Sequence, residues 1–185
     1  MMSVLSILFH AAAASSAAEA AWCVASPDGR TTITLSLATP AGEADYPADR
    51  VRLYYEIQRG DGADRGTVLP RSPLGIQRSD QAFVDGLRFT GAGTLQAIDE
   101  TYRKLHGKRT VCRSQANQQS FAFENPAGAE LWVTLRVAND GAAFRYEFPE
   151  QDETRRTVRS EATGFRLPDG ARAWIQPYQE SSQYT

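Results

Sequence analysis

Two histidines, His10 and His106, bound the acid–base chemistry open to this chain. His10 lies inside an apolar N-terminal run, so a Ser-His-Asp arrangement elsewhere would have to use His106. His106 stands between Leu105 and Gly107 in a basic, turn-like stretch with no nucleophile-elbow motif, which reads as a surface or structural histidine. Cys23 and Cys112 fail as part of a Cys–His zinc site on count and spacing. In an oxidising compartment they could pair or stay separate thiols, because a disulfide needs a Cα separation that sequence does not supply. No glycine-rich phosphate loop is present, and Gly91-Ala92-Gly93 is too short to count as one. Carboxylates are plentiful, and two of them flanking a sugar would suffice for glycoside hydrolysis. No spacing selects a pair, so no catalytic residue is assigned. Trp132, Trp174, Tyr178 and Tyr184 are of the type that stacks on pyranose faces. By alternation Trp132 falls on the polar side of its strand. A second layer of structure is expected to cover it, whereas exposure would mark a binding surface.

The element that must position these groups is a hairpin from Leu131 to Pro149. Leu131, Val133, Leu135 and Val137 alternate with Thr134 and Arg136 on its first arm; Ala142, Phe144, Tyr146 and Phe148 alternate with Arg145 and Glu147 on its second. Such period-two alternation predicts two half-buried antiparallel strands. Asn139-Asp140-Gly141 supplies the turn, with positive φ expected there. Upstream, Trp22–Ala25 predicts a first strand, ended by Ser26-Pro27-Asp28-Gly29. Ile33, Leu35 and Leu37 alternate with threonine and serine, and Val51, Leu53, Tyr55 and Ile57 alternate with Arg52, Tyr54, Glu56 and Gln58. Val68–Ile76 holds two prolines and predicts an edge crossing. Gly86–Thr90, Phe165–Leu167 and Ala173–Ile175 are short strand candidates, and Leu95–Tyr102 is ambiguous. The class is an all-β antiparallel β-sandwich with many turns, in keeping with 14 glycines and 9 prolines among short apolar runs.

The net charge of −2 and the lack of a basic cluster argue against nucleic acid as a partner. Val4–Ala14 is apolar but too short to span a bilayer, and Ala18-Glu19-Ala20 fits a small-x-small cleavage site. No lysine or arginine precedes the run. The expectation is a signal peptide over 1–20 and one domain over 21–185, secreted to the periplasm, with no membrane attachment after cleavage.

Several segments, taken in order, resemble the N-terminal domain of glycoside hydrolase family 97, the secreted α-glucosidases and α-galactosidases. They are Ser26-Pro27-Asp28-Gly29, Ser72-Pro73-Leu74-Gly75-Ile76, Glu100-Thr101-Tyr102 with Gly107-Lys108-Arg109, Asp140–Pro149, and Glu161–Pro168 with Trp174. The Asp140–Pro149 run is the most specific, and together they span nearly all of 21–185. The resemblance implies a super-sandwich of galactose-mutarotase-like type that packs on a catalytic (β/α)₈ barrel, itself about 250 residues. It implies an α-glucoside or α-galactoside as carbohydrate partner and calcium as cofactor, with at most one ligand from this chain. Glu180, in Pro177-Tyr178-Gln179-Glu180, is the position that matches the family's metal-binding glutamate. One carboxylate cannot hold an ion that takes 6–8 oxygens. The sequence departs from the family pattern at His106, where an aromatic is expected, and at Gln115–Gln119, where an acidic residue is expected. No barrel-like repeats follow in the sequence given, so no hydrolase activity is expected of this chain alone. The other readings are a stand-alone carbohydrate-binding module, which a row of coplanar exposed aromatics would favour, and a non-functional gene fragment. An uncovered apolar face would favour the barrel-bound domain.

Overall fold

A computed structural model describes residues 20–40 and 46–174. The strands are β1 (Ala20–Ala25), β2 (Thr31–Ala38), β3 (Arg52–Arg59), β4 (Gly66–Leu74), β5 (Ile76–Arg78), β6 (Ala82–Phe83), β7 (Arg88–Ala92), β8 (Gln96–Arg103), β9 (Val111–Glu124), β10 (Glu130–Ala138), β11 (Gly141–Glu147) and β12 (Val158–Glu161). Among the described residues there is no α-helix, only a short 3₁₀ turn at Gly62–Asp64. One sheet runs β1-β2-β3-β4; a second runs β11-β10-β9-β7 with β8 also on β9; a third is β12-β5-β6. All pairings are antiparallel.

The predicted hairpin is β10–β11. Leu135 pairs with Phe144 and Val133 with Tyr146, so the apolar sets of both arms share one face, as period two requires. Ala138 pairs with Gly141, leaving Asn139 and Asp140 as the loop. The expected positive φ is not used, since no residue of this turn has one. The turn is shaped from outside instead. The Asp28 amide donates to Asn139 Oδ1 at 3.1 Å, and Arg59 Nη1 donates to the Asn139 carbonyl at 2.7 Å.

The inner face of β10–β11 meets the first sheet. Ile33, Leu35, Leu53 and Tyr55 pack with Phe121, Phe123, Leu131, Val133, Leu135 and Val137 in one buried cluster. Trp22 closes its end, stacked on Phe89 at 4.2 Å between centroids and edge-on to Phe123 at 5.7 Å. Tyr54, grouped with the polar side of its strand by alternation, is fully buried on the opposite face. The loop ring of Tyr46 covers it at 5.1 Å, and the Tyr46 hydroxyl is tied to the Arg71 carbonyl at 2.6 Å.

Two features extend beyond the sandwich. β9 is 14 residues long and outruns β10, so 111–115 pair only with β8. That ribbon carries the exposed Tyr102, Leu105 and Val111. It explains why Leu95–Tyr102 gave no clear period: a strand exposed on both faces has no alternation to show. After β12 the chain continues as a strap. Ala162 and Gly164 donate to the Gly75 and Pro73 carbonyls at 2.8 and 3.0 Å, and the Arg166 amide donates to Ser72 Oγ at 2.9 Å. Residues 162–168 therefore bond along β4 without regular strand assignment, and Ala171 closes a turn onto Pro168.

Candidate functional site on the outer sheet face

The sequence-predicted groups scatter. His106 is exposed at the tip of the β8–β9 ribbon. Cys23 on β1 and Cys112 on β9 are both free thiols. Trp174 is 90% exposed beyond the strap. Glu180, Tyr178 and Tyr184 lie outside the described residues. Gln115–Gln119 line β9 with amides that already have partners: Gln115 on Asp99, Asn117 on the Ala25 carbonyl, Gln118 on Arg136, Gln119 on the Gly93 carbonyl. The exposed rings Tyr102, Trp132, Phe165 and Trp174 sit on separate elements, and among the described residues no two of them pack as a row.

Trp132 is the exception to its expectation. Among the described residues no second layer covers it, and it is 39% exposed. Register explains its setting. Across the second sheet, Gly91 pairs with Ala122, Ala122 with Trp132, and Trp132 with Glu147, so these four share the outer face. The indole thus has a floor of small residues on one side and a carboxylate on the other. A hollow of about 270 Å³ lies over that floor, lined by Gly91, Ala92, Gly93, Ser120, Ala122 and Trp132. It shares Gly93, Ser120 and Trp132 with a polar neighbour of about 230 Å³ that reaches Gln96 and Gln118.

The next row along the face is hydroxyl and charge. Ser120 Oγ and Thr134 Oγ1 are 2.6 Å apart, Thr134 donates to Glu147 Oε1, and Arg145 Nε donates to the same oxygen at 2.9 Å. Because the Thr134 proton goes to Glu147, the Ser120 hydroxyl is the donor of that pair. The Thr134 hydrogen bond, with Arg145 beside it, holds the Glu147 carboxyl below the usual carboxylate range against the opposing effect of burial. An anionic, oriented carboxylate beside an indole and a guanidinium can grip hydroxyls.

A second charged cluster is structural. Arg78 has a side chain only 2% exposed; its Nη2 donates to Asp80 and Glu150 at 2.7 Å each, and its guanidinium lies over the Phe148 ring at 4.5 Å. Arg156 joins it through Asp80 at 3.3 Å and through Asp152 at 2.6 Å. The cluster borders an open hollow of about 710 Å³ whose other ionic wall, Arg52 on Asp85, is already paired. Sequence reasoning missed Arg78: its neighbour Asp80 reads as an ordinary surface charge, and the groups that bury it, Phe148 and Glu150, lie far along the chain.

Over residues 24–185 the chain matches the family described as Glycosyl-hydrolase 97 N-terminal. It is 28% identical over 183 residues to a Streptomyces bingchenggensis (strain BCW-1) protein described as "Probable retaining alpha-galactosidase". The match takes in 99% of this chain but 26% of that protein, so the chain spans about a quarter of the curated relative's length. Among solved structures, a beta-arabinopyranosidase is similar at a TM-score of 0.64 and 29% identity, over 80% of this chain and 21% of that one. A family 97 glycoside hydrolase from Pseudoalteromonas sp. strain K8, in complex with panose, gives 0.62 at 22% identity over 80% and 20%. The latter likeness is one of fold.

Proposed function

We propose, since this chain belongs to the glycosyl-hydrolase 97 N-terminal family, that it serves as the N-terminal β-sandwich of a secreted α-glycosidase. In that role it packs on a catalytic (β/α)₈ barrel and shapes the mouth of the substrate pocket. The substrate class is an α-glucoside or α-galactoside, and the leader over 1–20 sends the protein to the periplasm. One observation carries the reading. Val158 on β12, Phe165 and Leu167 on the strap, and Trp174 beyond it are all exposed apolar side chains in the last described part of the chain. Exposed large apolar side chains gathered in one part of a chain suit an interaction face. The curated relative has about three quarters of its length beyond the matched part to supply one.

Calcium is the cofactor of the longer protein in this reading, with Glu180 as the ligand from this chain. Among the described residues no three of His, Cys, Asp and Glu gather as a metal site. The ion takes 6–8 oxygens, so the described residues do not fit it by themselves and the remaining ligands fall to the barrel. A second reading, carbohydrate binding by the domain itself, is favoured by the exposure of Trp132 beside the Glu147 network.

The test is the DNA downstream of the Thr185 codon. If an open frame continues into βα repeats, the joined product should hydrolyse nitrophenyl α-glucoside or α-galactoside, and the chain alone should not. Replacing Phe165 and Leu167 by serine should then cost the joined product activity or assembly. A stop followed by unrelated sequence, or a joined product indifferent to those changes, overturns the role.

A further inference from the structure

We infer that the outer face of the second sheet, centred on Trp132, is a sugar-binding site that takes one pyranose ring of an α-linked oligosaccharide. The inference rests on the carbohydrate reading above and gives it a place. Trp132 offers a flat apolar face, and beside it Ala122 and Gly91 leave no side chain beyond a methyl group. A Cβ built on Gly91 would meet nothing within 4 Å, so the space over the floor is open, and Gly91 has no positive φ that would account for glycine there. The hollow of about 270 Å³ is suited to one ring rather than a protein side-chain array.

Chemistry then selects the ligand. A pyranose has an apolar C–H face and a rim of hydroxyls that both donate and accept. The indole meets the first. Across the indole from the floor, Glu147 stands as an acceptor for that rim: its Oε1 is taken by Thr134 and Arg145, while Oε2 makes no hydrogen bond among the described residues. The Ser120 hydroxyl and the Gln118 amide line the neighbouring hollow together with Trp132, and the Arg145 guanidinium lines a further one along the same face with Gln118 and Thr134. Few polar groups of fixed orientation around an apolar platform is the general make-up of a small-molecule site. An anionic ligand would meet the Glu147 charge, and a purely apolar one would leave Glu147 Oε2 without a donor. A neutral polyol satisfies both.

The experiment titrates the purified chain with panose and with raffinose by calorimetry, while NMR follows the Trp132 indole N–H. The expected result is saturable binding with that resonance shifted, weakened about tenfold or more, which is about 1.4 kcal/mol, by Trp132→Ala. Gly91→Leu, which fills the hollow and leaves the indole in place, should weaken it as much. Trp174→Ala should not. Each variant is first shown to unfold cooperatively in urea. Binding that survives both groove variants overturns the site while leaving carbohydrate recognition standing. No saturable binding overturns both, yet leaves the barrel-supporting role to the joined-product assay. A concentration-dependent dimer that Trp132→Ala abolishes, seen by sedimentation, also overturns the site, because a second copy is then the occupant.

Discussion

The Gly75 amide donates to the Tyr146 hydroxyl at 2.9 Å, and the same hydroxyl meets Thr163 Oγ1 at 2.6 Å. Three segments that the sequence presents separately thus join at one oxygen: the β4–β5 crossing, the β11 arm of the hairpin, and the strap. Gly75 allows the approach. A Cβ there would meet the Phe83 carbonyl oxygen at 3.3 Å and Ala162 Cβ at 3.4 Å. Tyr55 adds a second tie, donating to the Gly164 carbonyl at 3.0 Å. Tyr146→Phe keeps the ring and strands the Gly75 amide. We expect a loss of about 1–3 kcal/mol in urea unfolding, with faster hydrogen exchange at the Ala162 and Gly164 amides. Unchanged exchange in the strap would sink this account.

Burial lifts the pKa values of both Tyr146 and Tyr55 above their ordinary 10.0. A group whose folded pKa is raised contributes stability that is whole below its unfolded value and is lost as pH climbs toward the folded one. The chain should therefore keep its urea resistance up to about pH 10 and lose it progressively over the interval above. Tyr146→Phe should flatten part of that decline, with the remainder assigned to Tyr55. A wild-type midpoint that is level across the interval contradicts the burial argument.

The Arg78 cluster acts at the other end of the scale. The Arg78 hydrogen bond holds the Glu150 carboxyl below its ordinary 4.5, opposed by burial. A lowered folded pKa means stability that is present above the ordinary value and lost as pH falls through the folded one. Arg78→Met removes two ion pairs and the contact with Phe148, at a cost of about 2–3 kcal/mol at neutral pH, because the partly buried Glu150 loses its main counter-charge while Asp80 stays partly solvated. It should also shrink the acid sensitivity below pH 4.5. Equal acid sensitivity in variant and wild type would show that Glu150 does not report on Arg78.

The alternation of Leu131–Val137 and Ala142–Phe148 is legible because one-sided burial writes itself as period two. The family-like segments are legible because each turn or crossing needs its own residues. At Gly29, φ is +74°, and Ser26 Oγ accepts from the Thr31 amide at 3.0 Å. What stays hidden depends on distant chain. Arg78 reads as a solvated charge in Ile76-Gln77-Arg78-Ser79-Asp80 until Phe148 and Glu150 are folded onto it. Tyr54 reads as outward until Tyr46 covers it. Trp132 has the opposite history: its alternation puts it outside, and only the sheet order reveals that Ala122 and Gly91 leave it room.

The hairpin turn makes the last prediction, because there a local rule and the fold disagree. Asn-Gly is a favoured pair for a two-residue hairpin loop, since a type I′ turn needs positive φ at both positions. Asp140→Gly would create that pair. In this fold neither Asn139 nor Asp140 has positive φ, so glycine relieves nothing in the folded chain. It adds freedom to the unfolded chain, at about 0.5–1 kcal/mol. A shift to type I′ would also re-aim the Asn139 carbonyl away from Arg59 Nη1, now at 2.7 Å, and its side chain away from the Asp28 amide. Those two bonds link the hairpin tip of the second sheet to turns of the first. Asp140→Gly should therefore destabilise, and Arg59→Met, which removes the outside hold, should narrow the difference between Asp and Gly at 140. Urea unfolding of the four proteins in a double-mutant cycle measures both terms. If Asp140→Gly stabilises the chain with Arg59 present, the turn is set by its own residues, and the hold from Arg59 and Asp28 is incidental.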